Sequence, residues 1–167
     1  ITAVDFGMGS PDANLAISQM TDGEVMLKPV VATDFSGTTL PTGWSVMSGS
    51  GPATVSGGVL TLNGSTVGPA GTYGAGHSIE VLATFTAAPY EHVGFGVNYT
   101  AGSGDAWAMI STGAAGTGLL ARSWTGSGGF DTQSTSIPGS WFGTPHRYRV
   151  DWNASSIDYY VDGVKVA

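Results

Sequence analysis

The stretch that most constrains this chain is its last one, Pro145 to Ala167, which reads PHRYRVDWNASSIDYYVDGVKVA. Tyr148, Val150 and Trp152 alternate with Arg147, Arg149 and Asp151, so a strand here has one apolar and one charged face. Asn153-Ala154-Ser155 is a turn cluster, after which Ile157, Tyr159 and Val161 alternate with Asp158, Tyr160 and Asp162. Asp162-Gly163 then stands between two apolar strands, where a two-residue type I′ turn demands φ > 0 at both central positions. Three consecutive antiparallel strands are predicted, the last running from Val164 toward Ala167.

The same period recurs upstream. Glu24 to Val30 reads as a strand that Pro29 confines to an edge or an end. Thr54 to Ser56 and Val59 to Asn63 form a hairpin around Gly57-Gly58, and Thr66-Val67 adds a short strand. In His77 to Ala87, Ile79, Val81, Ala83 and Phe85 share one face. In His92 to Tyr99, Val93, Phe95, Val97 and Tyr99 point to a core, and His92, Gly94, Gly96 and Asn98 line the other side. Ala106 to Ser111 and Leu119 to Trp124 are further strands. Residues 33–44, 125–129 and 137–144 read as loops. Roughly ten to twelve short strands without an amphipathic helix predict an all-β, antiparallel two-sheet sandwich or barrel. Residues 1–23 are expected to form an N-terminal arm and residues 24–167 one domain, a jelly roll by the resemblance given below.

Charged residues are 10% of the 167-residue chain, against 27 glycines and abundant Ser and Thr. A neutral, hydroxyl-rich surface of this kind predicts a secreted or cell-surface protein. Net charge is −7, and the fixed cations are Lys28, Lys165, Arg122, Arg147 and Arg149, too few for a basic patch. Nucleic acid and anionic membranes are therefore not expected partners. There is no cysteine, which excludes disulfides and thiolate metal sites. No apolar run approaches the ~20 residues of a membrane span. The chain opens on Ile1 rather than Met, which predicts a leader or upstream region removed from it.

Two stretches carry a family resemblance. Asp34-Phe35-Ser36-Gly37-Thr38-Thr39-Leu40, then Gly43-Trp44, then Val55-Ser56-Gly57-Gly58-Val59-Leu60-Thr61-Leu62 resembles the opening of concanavalin A-like lectin/glucanase jelly rolls. His146 to Trp152 followed by Ile157 to Gly163 resembles their late His-x-Tyr-x-x-x-Trp and Tyr-Val-Asp-Gly hairpin. The nearest look-alikes are non-catalytic laminin-G-like modules of bacterial surface proteins, with the family 16 glycoside hydrolases more distant. The resemblance implies two curved antiparallel sheets with ligands on the concave face. It also implies a structural calcium joining the early loop at Asp34 to the turn at Gly58 and to an aspartate on a final strand. In the family, further strands follow the Val-Asp-Gly hairpin, whereas this sequence stops at Ala167. An open sheet edge is a liability that folded proteins cover. We therefore expect the Val164–Ala167 edge to be covered by the arm, by a missing tail or by another copy. The last of these would make a homopolymer through the arm or that edge.

Catalysis finds little support. The resemblance to the hydrolases would require their Glu-x-Asp-x-x-Glu strand. Here the glutamates are Glu24, Glu80 and Glu91, on three different strands. Asp151 and Asp158 lie on adjoining strands, but beside Arg147 and Arg149 they are expected to form solvated ion pairs. No Gly-x-Ser-x-Gly elbow is present, and His77, His92 and His146 lack the spacing of a zinc site. No residue is assigned as catalytic, and the chain is read as not an enzyme.

Aromatics are the binding candidates, since sugars stack their C–H faces on Trp and Tyr. Trp107, Trp124 and Trp141, with His92 and Asn98, are the predicted glycan-binding set, on a face made shallow by Gly94 and Gly96. The competing expectation for each Trp is core burial. Trp44 and Trp152 are assigned to the core, and Trp141, in a Gly-Ser-Trp-Phe-Gly loop, is expected to be exposed or to plug the sandwich end. Asp34 and Gly58 are the candidate calcium positions, with Asp34 capping its own turn as the alternative. Asn63, Asn98 and Asn153 stand in N-glycosylation sequons, where composition alone predicts about one. The expected function is glycan binding or cell adhesion outside the cell. A filament subunit built by strand donation is the alternative, and a glycan-hydrolase remnant a third reading.

Overall fold

The computed structural model describes residues 4–5, 8–9, 12–18, 25–96, 105–125 and 133–167. Its fourteen named elements are all β-strands. They divide into two compact units, residues 1–71 and 72–167.

The first unit holds three two-stranded pairs. β1 (Leu15–Ile17) pairs antiparallel with β2 (Val25–Leu27), so a strand of the expected arm pairs with a strand of the expected domain. β3 (Trp44–Gly49) pairs with β6 (Ser65–Pro69), with a register shift between Val46 and Ser48. β4 (Ala53–Ser56) and β5 (Val59–Leu62) form the predicted hairpin, and Gly57 and Gly58 take φ of 59° and 79° as a type I′ turn demands. β3 has no counterpart in the sequence reading, because Ser45 to Gly49 offers only Val46 and Met47 as apolar residues and both remain exposed.

The second unit is a sandwich. One sheet runs β11–β10–β9–β8, built from β8 (His92–Phe95), β9 (Trp107–Ser111), β10 (Leu119–Trp124) and β11 (Gln133–Ile137). The other runs β14–β13–β12–β7, built from β7 (His77–Ala83), β12 (His146–Trp152), β13 (Ile157–Val161) and β14 (Val164–Lys165). Alternation places Ala108, Ile110, Leu119, Ala121 and Ile137 of the first sheet against Tyr148, Val150, Tyr159 and Val161 of the second in one buried cluster. Each large side chain so buried contributes roughly 1.5–3 kcal/mol relative to exposure. Phe85 closes the cluster edge-on to Tyr148, with ring centroids 4.9 Å apart. Tyr159 crosses the sandwich and donates its hydroxyl to the Arg122 carbonyl at 2.7 Å.

The terminal hairpin takes its predicted form. Asp162 and Gly163 have φ of 50° and 81°, and β14 turns back on β13 with Val164 opposite Val161. Beyond β14 the pairing continues: the Val166 amide donates to the Tyr159 carbonyl, and the Tyr159 amide donates to that of Ala167. β13 therefore satisfies one side of Val164 to Ala167, while β14 is the outer strand of its sheet.

Candidate functional site

The outward face of the β8–β11 sheet collects most of the predicted binding residues. Register places His92, Ser111, Leu120 and Ser136 in one row across the four strands, and Gly94, Met109, Arg122 and Ser134 in the next. Trp107 and Trp124 are direct cross-strand partners in the third. Trp107, Met109 and Trp124 form a second apolar cluster, separate from the sandwich core. The two tryptophans are 4% and 6% exposed, so both rings are buried and neither is open for stacking. Their indole Nε1 atoms are buried without a hydrogen-bond partner among the described residues. An unpaired buried donor costs about 1–3 kcal/mol.

Arg122 lies over Trp107, its guanidinium carbon 5.4 Å from the ring centroid. His92 is pushed down to about 4, first by burial and then by the positive charge of Arg122, so its imidazole is neutral at physiological pH. At the end of the face stands Tyr90, 65% exposed, with its ring edge-on to His92 at 6.3 Å. Tyr90 takes φ of 61°, a left-handed backbone that a bulky residue rarely adopts. The turn that imposes it is knitted by hydrogen bonds. The Tyr90 amide donates to the Gly113 carbonyl, the Thr112 hydroxyl donates to the Ala88 carbonyl, and the Thr86 amide and hydroxyl both donate to the Glu91 carboxylate.

The structure thus brings His92, Trp107 and Trp124 to one face, and Asn98 lies outside the described residues. Trp141 goes elsewhere. It is half-buried against the sandwich core, donates its indole N–H to the Pro138 carbonyl at 3.2 Å and meets the His146 ring at 5.1 Å. It is not the exposed loop residue that its Gly-Ser-Trp-Phe-Gly setting suggests, because apolar contact with the core outweighs the looseness of the loop. Trp44 and Trp152 are half-buried rather than enclosed, packed edge-on against Phe35 and Phe95. Gly94 is required for a reason other than shallowness: a Cβ there would strike the Ala108 carbonyl and the Met109 Cα of β9.

Arg122 and Tyr90 are site residues that the sequence reading did not single out. Arg122 carried a signal, since it alternates with Trp124 along one strand. Tyr90 carried none, since Pro-Tyr-Glu reads only as a turn.

A second constellation surrounds His146. Its Nδ1 lies 2.7 Å from Asp162 Oδ2 and its Nε2 3.1 Å from Thr144 Oγ1. The order hydroxyl–imidazole–carboxylate is that of a nucleophilic relay. Acyl transfer also needs amide donors for an oxyanion, and three neighbouring positions offer none. Pro145 has no N–H, the Gly143 amide donates to the Phe85 carbonyl, and the Arg147 amide donates to Asp162 Oδ1. The Asp162 carboxylate ties His146 and the Arg147 amide to the hairpin turn.

The carboxylates suggested by adjoining strands do meet. Asp151 is directly opposite Asp158. Each is committed to a cation: Arg149 donates twice to Asp151, at 2.6 and 2.7 Å, and Lys165 lies 2.9 Å from Asp158. Those hydrogen bonds from Arg149 hold the Asp151 carboxyl below the usual range against the opposing effect of burial. A general acid needs the reverse shift.

Asp34 Oδ1 accepts the Ser36 amide at 3.0 Å, capping its own turn, and the Asp34 carbonyl lies 3.7 Å from where a Cβ on Gly58 would stand. The two candidate calcium positions are therefore neighbours. They offer one carboxylate where calcium takes about six to eight oxygens, and no cluster of three or more His, Asp or Glu suited to a metal occurs among the described residues. The donor set does not fit a calcium site by itself. Asn63 is exposed, and the Asn153 side-chain amide donates to Ser156 and Asp158. A cleft of about 220 Å³ opens between the sheets beside Thr135, Ile157 and Ala167, where the Tyr159 hydroxyl is already committed to Arg122.

Two four-stranded antiparallel sheets packed face to face, in an all-β chain, define the jelly-roll class of the concanavalin A-like proteins. Within that class, residues 119–167 match the family described as Glycosyl hydrolases family 16. The match runs from β10 through β14, under a third of the chain, and is a likeness to a carbohydrate-related family. It includes Arg122 and Trp124 and contains no glutamate. No curated protein and no solved structure matches the chain significantly.

Proposed function

We propose that this chain is a non-catalytic carbohydrate-binding module of a secreted or cell-surface protein, acting in glycan capture or adhesion. One observation carries the reading: the exposed Tyr90 ring, edge-on to His92, in a sandwich whose residues 119–167 match a carbohydrate-related family. Tyr90, exposed and held rigid, supplies the accessible ring for stacking, and Arg122 and His92 supply polar contacts beside it. The non-catalytic half is supported by Asp151 and Asp158, each tied to a cation, and by the absence of a Glu-x-Asp-x-x-Glu sequence.

A glycan array and polysaccharide pull-down test this directly. Binding is expected, with Tyr90→Ala weakening it by roughly 2- to 10-fold, the scale of one aromatic contact. Failure to retain any polysaccharide would sink the reading. Saccharide turnover that survives loss of both Asp151 and Asp158 would place an active site elsewhere in the chain.

The filament alternative draws on β14, an edge strand whose Val164 is 65% exposed. It carries Lys165, a residue type that discourages edge-to-edge pairing. Sedimentation at high concentration separates the two readings: a monomer that stays soluble excludes the filament, and long particles support it.

A further inference from the structure

A sheet edge is a row of backbone donors and acceptors, which folded proteins guard with charge, proline, a bulge or a cover. The second unit has four outer strands, and three of them are guarded. β7 carries Glu80, β14 is two residues long and carries Lys165, and β8 is half-buried along its whole length. β11 differs from all three. Gln133-Ser134-Thr135-Ser136-Ile137 has no charge, no proline and no glycine, and its first four residues are all exposed. Its pairing with β10 runs through all five residues without a shift, so no bulge bends the edge away. Among the described residues, β10 is the only strand with which it pairs.

The edge is also self-complementary. Ser134 and Ser136 flank Thr135, so the centre of β11 reads the same in both directions. Alternation sets the two serines on the outward face and Thr135 on the face of Ile137, which is buried in the sandwich core. A second β11, laid antiparallel with the two-fold axis at Thr135, places Thr135 opposite the partner's Thr135 and Ser134 opposite the partner's Ser136. Hydroxyl residues then meet hydroxyl residues on both faces of the sheet, in pairs that each stabilise antiparallel strands by roughly 0.2–1 kcal/mol. No like charges are juxtaposed within the strands, although each copy carries a net charge of −7. We propose that β11 is a self-pairing edge, through which two copies of this chain join their β8–β11 sheets into one continuous sheet. Such an isologous contact closes at two copies, unlike a filament built through β14. The cleft lined by Gln133, Thr135, Ile157 and Ala167 opens beside this edge, and the partner strand would flank it. Pairing along five residues buries far less than the ~1,200 Å² of a standard interface, so the dimer is a transient one. The proposal does not depend on the carbohydrate-binding reading.

Sedimentation velocity of the full chain, from micromolar to near-millimolar concentration, tests it. A reversible monomer–dimer equilibrium is expected, with no larger species. The dimer should tighten as NaCl rises from about 20 to 200 mM, because salt screens the repulsion between two acidic copies and leaves uncharged strand pairing intact. The chain has no cysteine, so single-cysteine variants report the register. Thr135→Cys should form an intermolecular disulfide on mild oxidation, since directly opposed residues on antiparallel strands fall within the roughly 4.4–6.8 Å Cα separation that a disulfide spans. Gln133→Cys lies too far along the strand from its own twin and should stay a thiol. Ser134→Lys combined with Ser136→Lys sets lysine opposite lysine and should weaken the dimer ten-fold or more, as should the matching pair of glutamate substitutions. Mixing the two double variants should restore association. A chain that stays monomeric over the whole range, association that weakens with salt, or species that grow beyond two copies overturns the proposal. So does a disulfide that forms as readily at Gln133→Cys as at Thr135→Cys. Wild-type sedimentation and the Thr135→Cys bridge hold as tests even if a charged variant fails to fold, and none of these outcomes bears on glycan retention.

Discussion

His146 Nδ1 lies 2.7 Å from Asp162 Oδ2, joining the first residue of β12 to the turn between β13 and β14. His146 Nδ1 faces the Asp162 carboxylate and its Nε2 meets the Thr144 hydroxyl at 3.1 Å. The other oxygen, Asp162 Oδ1, accepts the Arg147 amide at 2.9 Å. Burial opposes ionisation of Asp162, but the bonds from Arg147 and His146, with their positive charges, outweigh it and hold the carboxyl below its ordinary value of 3.8. Asp162→Asn keeps a residue that tolerates left-handed backbone and removes the charge. It should cost about 1 kcal/mol at pH 7, at the low end for a charged hydrogen bond because half of the carboxylate is open to water. The contribution of a depressed carboxyl is complete above its unfolded value and lost as pH falls through the folded one. Urea unfolding of the two proteins should therefore differ at pH 7 and converge below about pH 3.8.

The imidazole of His92 offers an acid-side counterpart. It is kept neutral by burial and by Arg122, with Tyr90 and Ser111 as its other close neighbours. The unfolded chain binds this proton more readily than the folded one. Stability should accordingly be intact above pH 6.5 and decline as pH falls toward about 4. His92→Gln should flatten the midpoint-against-pH curve in that window. Titration of His92 by NMR near 6.5 would contradict the burial on which this depends.

Glycine substitutions should separate sharply. At Gly94, φ is 155° and an added Cβ meets backbone atoms of Ala108 and Met109, which cannot rotate away. Gly94→Ala is expected to cost about 3 kcal/mol or more, through backbone strain and overpacking. At Gly74 nothing lies within 4 Å of the new carbon and no positive φ is imposed. Gly74→Ala should be neutral or stabilise by up to about 1 kcal/mol, through a less flexible unfolded chain. Denaturant midpoints of the two variants, at unchanged slope, make the comparison.

On the alkaline side, Tyr148 and Tyr159 are both pushed up to about 12, each mainly by burial, with the charge of Asp162 adding to the effect at Tyr148. Raised values favour the folded state fully below the ordinary phenol value of 10.0, and the benefit disappears as pH rises toward 12. Ultraviolet titration should show two phenols ionising together with alkaline unfolding. Tyr159→Phe, which frees the buried Arg122 carbonyl, should lower stability by roughly 1–3 kcal/mol at neutral pH.

The parts of the fold legible in the sequence are those written in short periods. The Gly57-Gly58 and Asp162-Gly163 hairpins follow from alternating apolar residues around a pair that accepts φ > 0, and both form as predicted. β11 was not legible. Gln133-Ser134-Thr135-Ser136-Ile137 has one apolar residue, and it becomes a strand because the edge of β10 offers it hydrogen-bond partners. β3 was missed for the same reason, since its pairing with β6 rather than its own side chains makes it a strand.

The candidate face shows the same division. Alternation alone puts Arg122 and Trp124 on one side of their strand, and His92 on the side opposite Val93 and Phe95. It does not say that Trp107 and Trp124 are direct partners, that both are enclosed, or that Arg122 lies over one of them. Nor does it place Trp141 against the core, Tyr90 in a left-handed turn beside His92, or Asp162 on His146. The sequence by itself determined an all-β chain, its turns and the two faces of most strands, because these depend on residues within a few positions of one another. Tertiary structure alone decided which donors were left without acceptors and which carboxylates were neutralised, because those outcomes depend on partners brought together by strand register from distant parts of the chain.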